Sequence, residues 1–268
     1  MKRFILSILV GLLSINFIFA FEEITVSGST TVLPIAQAAS EDYMNTKKDI
    51  SISVRGGGSG VGITSLIDGR CDIANSSRKI KDKEILQANQ NGIKPKEYII
   101  AMDGIAVIVN QTNPIKNLTK EQLKSIFTGK TSNWAEVGGK NQKIVVVSRD
   151  SASGTFEAFN TLVLDEEKVR EDALLDASNK GVATIIEKTP SAIGYIGIAY
   201  LSKNTKAVDI DSITCSKQNV LNNSYPLSRN LYMYTIENPK TSVKDFINFI
   251  LSQKGQKIVT ETGYIAIK

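Results

Sequence analysis

Short apolar or alternating runs recur along the chain. Most end in a polar turn followed by apolar residues at helical spacing. Ile24 to Val26 is such a run, followed by Gly28-Ser-Thr-Thr31 and a helical stretch from Val32 to Met44. Ile50 to Val54 alternates as a strand into Gly56-Gly-Gly-Ser-Gly60, after which Ile63, Leu66 and Ile67 share one helical face. Asp72 to Asn75 leads into Ser76-Ser77-Arg78 and then a polar helix with Ile85 and Leu86, closed by Asn91-Gly92. Ile144 to Val147 leads into Ser148-Arg-Asp-Ser-Ala-Ser-Gly-Thr-Phe156, with Phe156, Phe159, Leu162 and Val163 at helical spacing beyond.

Each of these turns puts hydroxyls and glycines at a helix N-terminus, where free N–H groups and the helix dipole favour an anion. One such turn is more often ordinary capping, because Ser and Thr are good N-caps. Three strand–hydroxyl/glycine–helix turns in one chain point to convergence on one anion, with Arg149 as its cation.

The rest of the pattern supplies the frame. Tyr98 to Asn110 and Ser228 to Ile236 are long extended runs, each long enough to leave one unit and enter another. Thr119 and Gln122 form a capping box for a helix carrying Leu123, Ile126 and Phe127, ended by Gly129. A charged helix is expected over 165–176, a further one carrying Val182, Ile185 and Ile186 up to Pro190, a buried strand at Ile193 to Gly197, and an amphipathic helix from Thr241 to Gln253. Alternating strands and helices predict an α/β fold with a largely parallel sheet, whose ligands bind beyond the carboxyl ends of the strands. The two crossings predict two hinged lobes.

Composition narrows the chemistry. In 268 residues there is no histidine, which excludes Ser-His-Asp and Cys-His catalysis and any His-ligated metal. The two cysteines, Cys71 and Cys215, are expected as separate buried thiols in different lobes. The net charge of +5 is spread without a dense basic patch, so nucleic acid is not an expected partner. Lys2 and Arg3 precede an apolar run that ends near Phe19-Ala20, which reads as a secretory signal peptide. No cysteine lies beside the cleavage point to carry a lipid, so a soluble, exported chain is expected. Trp134 and Tyr195 read as core residues, Asp72 as a turn acceptor, and Arg78 and Arg229 as solvated or lobe-bridging side chains rather than ligands.

An ordered series of short words runs over nearly the whole chain: Gly28-Ser-Thr-Thr-Val-Leu-Pro34, Gly57-Gly-Ser-Gly60, Asp72-Ile-Ala-Asn-Ser-Ser-Arg78 and Asp103-Gly-Ile-Ala-Val-Ile-Val-Asn110, then Arg149-Asp-Ser-Ala-Ser-Gly-Thr155, Gly194-Tyr-Ile-Gly197 and Tyr225-Pro-Leu-Ser-Arg229. In these the chain resembles the phosphate-binding proteins of bacterial ABC phosphate-uptake systems. The resemblance implies a two-lobed periplasmic-binding-protein fold, with mixed sheets flanked by helices and the lobes joined by two extended crossing strands. The expected division is 1–20 as signal peptide, 21–107 with 232–268 as one lobe, and 108–231 as the other.

The resemblance also implies a non-catalytic periplasmic receptor, monomeric and without cofactor or metal. It would close on inorganic phosphate and deliver it to a membrane ABC permease. Phosphate contacts carry over onto Ser29, Thr30, Thr31, Ser59, Arg149, Ser153, Gly154 and Thr155. Two positions depart from the family. Ser77 stands where some members have an aspartate that accepts the phosphate proton, and Ser151 where some have an acid that orients the arginine. Asp103, a charge inside an apolar crossing run, is the expected replacement acceptor. Its alternative is a local turn cap beside Gly104. A receptor for sulfate or molybdate is the nearest other function, and a secreted phosphatase the next.

Overall fold

A computed structural model describes residues 21–267. The expected signal peptide, 1–20, lies outside the described residues. The chain opens with β1 (Glu22–Gly28), α1 (Leu33–Thr46), β2 (Ile50–Arg55), α2 (Ser59–Ile67), β3 (Ile73–Ser76) and α3 (Asp82–Gln90). The long β4 (Pro95–Asn110) leads to β5 (Asn117–Leu118), α4 (Lys120–Thr128), β6 (Val145–Arg149) and α5 (Gly154–Phe159). Then follow β7 (Leu174–Asp176), α6 (Asn179–Lys188), β8 (Ala192–Gly197), β9 (Thr205–Ala207), β10 (Asp209–Ile210) and α7 (Lys217–Leu221). The chain returns through β11 (Ser228–Ile236) and ends in α8 (Thr241–Leu251) and α9 (Gln253–Glu261).

The strands order as β2-β1-β3-β11-β4-β8-β6-β7, with β9 also on β4. β4 belongs to both halves: it pairs with β11 from Pro95 to Gly104 and with β8 from Ile105 to Val109. This makes the fold two-lobed, with β4 and β11 as the extended crossings that the apolar runs predict. The sheet is mixed rather than largely parallel. β1 pairs with β2 and β3, and β6 with β7 and β8, in parallel. The two crossings run antiparallel to each other and to their neighbours β3 and β8.

Apolar faces of both halves form one continuous core, from Ile24, Ile35 and Phe246 at one end to Phe127, Phe159 and Tyr195 at the other. Trp134 is buried and its indole donates to the Ser191 carbonyl at 2.9 Å, as an anchor in the core. Asp72 accepts from the Thr25 amide and hydroxyl, holding β3 to β1. Cys71 and Cys215 are free and buried, and burial pushes both thiols up to about 12.

The segment 165–176 is not the expected helix. Asp165 and Glu166 take positive φ values of 49° and 66°, which break the helical path after a π-turn at Asn160–Leu164. The segment has charge but no apolar stripe to bury; Leu174 and Leu175 remain exposed. It ends instead as β7 alongside β6, which brings Asp176 opposite Arg149.

The polar turns at Gly28, Arg55, Ser76 and Arg149 all sit at the carboxyl ends of their strands. The crossing strands bring these ends face to face.

Candidate anion-binding site

The turn after β1 is held from outside. Ser29 Oγ accepts the Thr31 amide at 3.1 Å and the Val32 amide at 3.4 Å. Tyr200 and Tyr264 donate their hydroxyls to the carbonyls of Thr30 and Thr31, each at 2.6 Å. Both tyrosines are pushed above their ordinary value by burial, Tyr200 to about 12, so both remain protonated donors. The turn's carbonyls are thereby occupied, and Thr30 and Thr31 face the second half of the molecule with their hydroxyls.

Arg149 meets them from the end of β6. Its strand is fixed by Tyr195, stacked on Phe159, whose hydroxyl accepts the Arg149 amide at 3.2 Å. The guanidinium donates from Nε to the Asp176 carbonyl at 3.0 Å, and from Nη2 to the Ala177 carbonyl at 2.8 Å and Thr30 Oγ1 at 3.2 Å. Nη1 is buried and has no partner among the described residues. Burial pulls the guanidinium below its ordinary value and Arg229 adds to this, but arginine starts high enough to stay charged.

The α5 turn completes the wall. Thr155 Oγ1 lies 3.0 Å from Thr31 Oγ1. Ser153 caps α5, its oxygen accepting the Phe156 amide at 3.2 Å. The first-turn amides of α5 have no intrahelical acceptor. Gly154 is required here: a Cβ would sit 2.2 Å from Ser59 Oγ, so only glycine lets α5 approach the start of α2 this closely. Ser59 Oγ in turn accepts the Ser77 amide at 3.0 Å and lies 3.3 Å from Ser77 Oγ.

The charges decide what the site can hold. Asp103 is fully buried in β4, and Arg229 stands opposite it on β11. Arg229 donates Nε and Nη2 to Asp103 Oδ2 at 2.9 and 2.7 Å, and the Ile198 amide donates to Oδ1 at 3.0 Å. Arg229 also reaches Thr155 Oγ1 at 3.0 Å and the Ser77 carbonyl at 3.3 Å. Burial raises the Asp103 carboxyl and the Arg229 guanidinium against it works the other way. Two guanidiniums and one carboxylate leave the buried centre cationic, ringed by hydroxyls and helix-start amides. A compact anion with several acceptor oxygens fits that set.

All ten residues expected from the sequence fall in this one region. Thr30, Thr31, Asp103, Arg149 and Thr155 join through direct side-chain contacts that also involve Arg229 and Asn179. Ser59, Ser77 and Gly154 form a second cluster against them. Ser29 and Ser153 spend their oxygens on their own turns. Asp103 does not sit as a bare acceptor or a simple turn cap: its carboxylate is the partner of Arg229.

Arg229 is the main residue that sequence reasoning set aside. Its signal was weak: Asp103 interrupts the apolar β4, but Arg229 lies at the polar start of β11, between Ser228 and Asn230, and the pairing that sets the two opposite each other is tertiary. Asn179 gave no signal beyond helix capping by Ser178, yet its Nδ2 donates to Thr30 and Thr31. Arg78 bridges as expected: it pairs with Glu84 at 2.7 Å and, across to α5, with Glu157 at 2.6 Å.

Among the described residues no group of three or more Cys, Asp or Glu side chains is arranged to hold a metal. No described helix is long and apolar enough to cross a membrane.

The PBP superfamily domain matches residues 20–254. The phosphate-binding protein PstS of Bacillus subtilis is 37% identical over 249 residues, 91% of this chain and 80% of that protein. A Clostridium perfringens protein solved with bound phosphate, described provisionally as a phosphate ABC transporter substrate-binding protein, superposes with a TM-score of 0.87. It is 38% identical, over 92% of this chain and all of that one. An ABC-type phosphate transport receptor from Vibrio cholerae superposes at 0.76 with 35% identity, over 90% of this chain and 99% of that one. The chain belongs to the PBP superfamily and, within it, to the family of the PstS phosphate-binding proteins.

Proposed function

We propose that this protein is an extracytoplasmic phosphate receptor that closes on inorganic phosphate and delivers it to a membrane ABC permease. The observation that carries the reading is the Nη1 group of Arg149, a buried cationic donor without a partner among the described residues, on a guanidinium whose Nη2 donates to Thr30 Oγ1. A charged donor desolvated in that way is costly unless an anion meets it. The names of the relatives, one of them solved with bound phosphate, support the same ligand.

Phosphate would be held by Ser29, Thr30, Thr31, Ser59, Ser77, Arg149, Ser153, Gly154 and Thr155, with Asp103 behind Arg229 and available as an acceptor. Hydrogen bonds to charged groups are worth roughly 1.5–3 kcal/mol each, and a handful can supply the ~8 kcal/mol of micromolar binding after ordering costs. The protein would act as a monomer without cofactor, as a receptor and not an enzyme. Residues 1–20 would direct its export and be removed.

The lobes would be 21–107 with 232–268, and 108–231, hinged where β4 changes partners near Gly104. Contacts across that divide, Gly60 to the Ala152 carbonyl at 3.0 Å and Arg78 to Glu157, support a reading in which the lobes can close on one another. Titration calorimetry with phosphate, sulfate and molybdate tests the ligand: tighter binding of sulfate or molybdate than phosphate would overturn the reading. Small-angle scattering tests closure, with a smaller radius of gyration expected on adding phosphate; an unchanged profile at saturation would favour a rigid pocket.

A further inference from the structure

We infer that Asn179 is a positioning residue that fixes the direction of the threonine hydroxyls, turning the site into a set of hydrogen-bond donors. The inference rests on the anion-receptor reading and goes beyond it by assigning the hydroxyl protons.

The donors and acceptors around Asn179 fix its orientation. Asn179 is fully buried at the first position of α6, and its side chain spans from α6 to the turn after β1. The Gly197 amide lies 3.1 Å from its Oδ1. An amide N–H can only donate, so the oxygen must face Gly197 and the NH2 must face the threonines. That NH2 lies 3.2 Å from Thr30 Oγ1 and 3.0 Å from Thr31 Oγ1, and donates to both.

Thr30 Oγ1 also accepts from Arg149 Nη2, which likewise can only donate. Both lone pairs of Thr30 Oγ1 are then used, and its proton must be given to something else. Thr31 and Thr155 share one proton across 3.0 Å, while Asn179 donates to the first and Arg229 to the second. Whichever of the two donates to the other, the remaining proton is directed outward. The network therefore presents the Thr30 hydroxyl and one hydroxyl of the Thr31–Thr155 pair as donors, beside the Arg149 guanidinium. Asn179 produces this polarity without adding charge. An aspartate of the same shape would keep the bond from Gly197 but accept from the threonines, reversing both hydroxyls and placing a negative charge behind them.

The test is titration calorimetry of wild type, Asn179→Asp and Asn179→Ala at several pH values between about 5 and 8, with phosphate, sulfate and molybdate as probes. Thermal melts confirm folding. Asn179→Ala should weaken the tetrahedral anion that wild type binds by about 10-fold, by a factor that stays constant with pH. Asn179→Asp should weaken it by more than about 100-fold at the alkaline end, and the loss should shrink as pH falls and protons return to the reversed network.

If Asn179→Asp does not fold, Asn179→Ala combined with Thr30→Ala decides. The double variant should lose little more than Thr30→Ala alone, since Asn179 acts through that hydroxyl. Equal losses in Asp and Ala at every pH, or additive losses in the double variant, would overturn the inference. Binding of sulfate in preference to phosphate by wild type would overturn the phosphate reading alone, and the same variants would then be read with sulfate. Failure of wild type to bind any of the three would overturn both.

Discussion

Replacing Asp103 with asparagine separates what this carboxylate does for the fold from what it does for the ligand. The side chain keeps its shape, so its packing beside Gly197 is preserved. The hydrogen bonding is not. Asp103 accepts two N–H groups from Arg229 and one from Ile198, all three from obligate donors. Asparagine has one acceptor oxygen, so in either orientation its NH2 opposes a donor. It also leaves Arg229, only 6% exposed, without its counter-charge. Breaking a buried ion pair by removing one partner costs about 3–5 kcal/mol. In a chain of this size each kcal/mol moves Tm by about 2–4 °C, so the unliganded variant should melt about 6–20 °C below wild type.

Phosphate should restore much of that loss, because an anion gives Arg229 the charge it lacks. The Tm gain on adding saturating phosphate should therefore be larger in the variant than in wild type. Thermal unfolding with and without phosphate reads this directly. An unchanged Tm in the unliganded variant would refute the ion-pair argument. Parallel calorimetry with phosphate and sulfate reads the second role. Asp103 is the carboxylate that meets Arg229 in this cluster, and a carboxylate can only accept, so it would favour an anion that carries a proton. If Asp103 accepts that proton, the phosphate-to-sulfate preference should fall at least about tenfold, about 1.4 kcal/mol. A preserved ratio would assign Asp103 to holding Arg229 alone.

Arg149→Ala should weaken phosphate binding by about 2–4 kcal/mol in calorimetry while the fold persists, and wild-type affinity would remove Arg149 from the site. Gly154→Ala should abolish binding in a folded protein, because its methyl would meet Ser59 Oγ at 2.2 Å and push α5 away from α2; a spectroscopic melt and a titration together check this. Arg78 and Lys81 backbone contacts hold Glu84 below its ordinary carboxylate value of 4.5 despite the opposing effect of burial. A depressed carboxylate stabilises above its ordinary pKa and loses that contribution as pH falls through the folded value. Glu84→Gln should accordingly flatten the acid side of the stability–pH curve and leave its neutral side with a constant offset. Glu157→Gln removes the partner shared by Arg78 and Lys81 across the lobes, and stopped-flow measurements should show faster phosphate release.

What could be read from the sequence follows the range of the interactions involved. Strand-to-helix turns are local, so Gly28 to Thr31, Ser59 and Arg149 to Thr155 announced themselves through composition alone. The capping box at Thr119 and Gln122 did the same. The failures were of two kinds. At 165–176 a run of charges looked helical, but a helix needs a face to bury, and the segment's real partner was the strand β6, distant in sequence. Asp103 is a charge inside an apolar crossing, whereas Arg229 stands at the polar start of the other crossing, between Ser228 and Asn230, where a solvated or bridging side chain is expected. Antiparallel pairing of the two crossings puts them opposite each other, and that pairing is a tertiary fact that neither run contains. Asn179 is the limiting case, since a polar residue after a capping serine is unremarkable until β8 and the turn after β1 are brought to either side of it. The donors of the candidate site are thus encoded in local motifs, whereas the groups that orient those donors come from elements joined only in the tertiary fold.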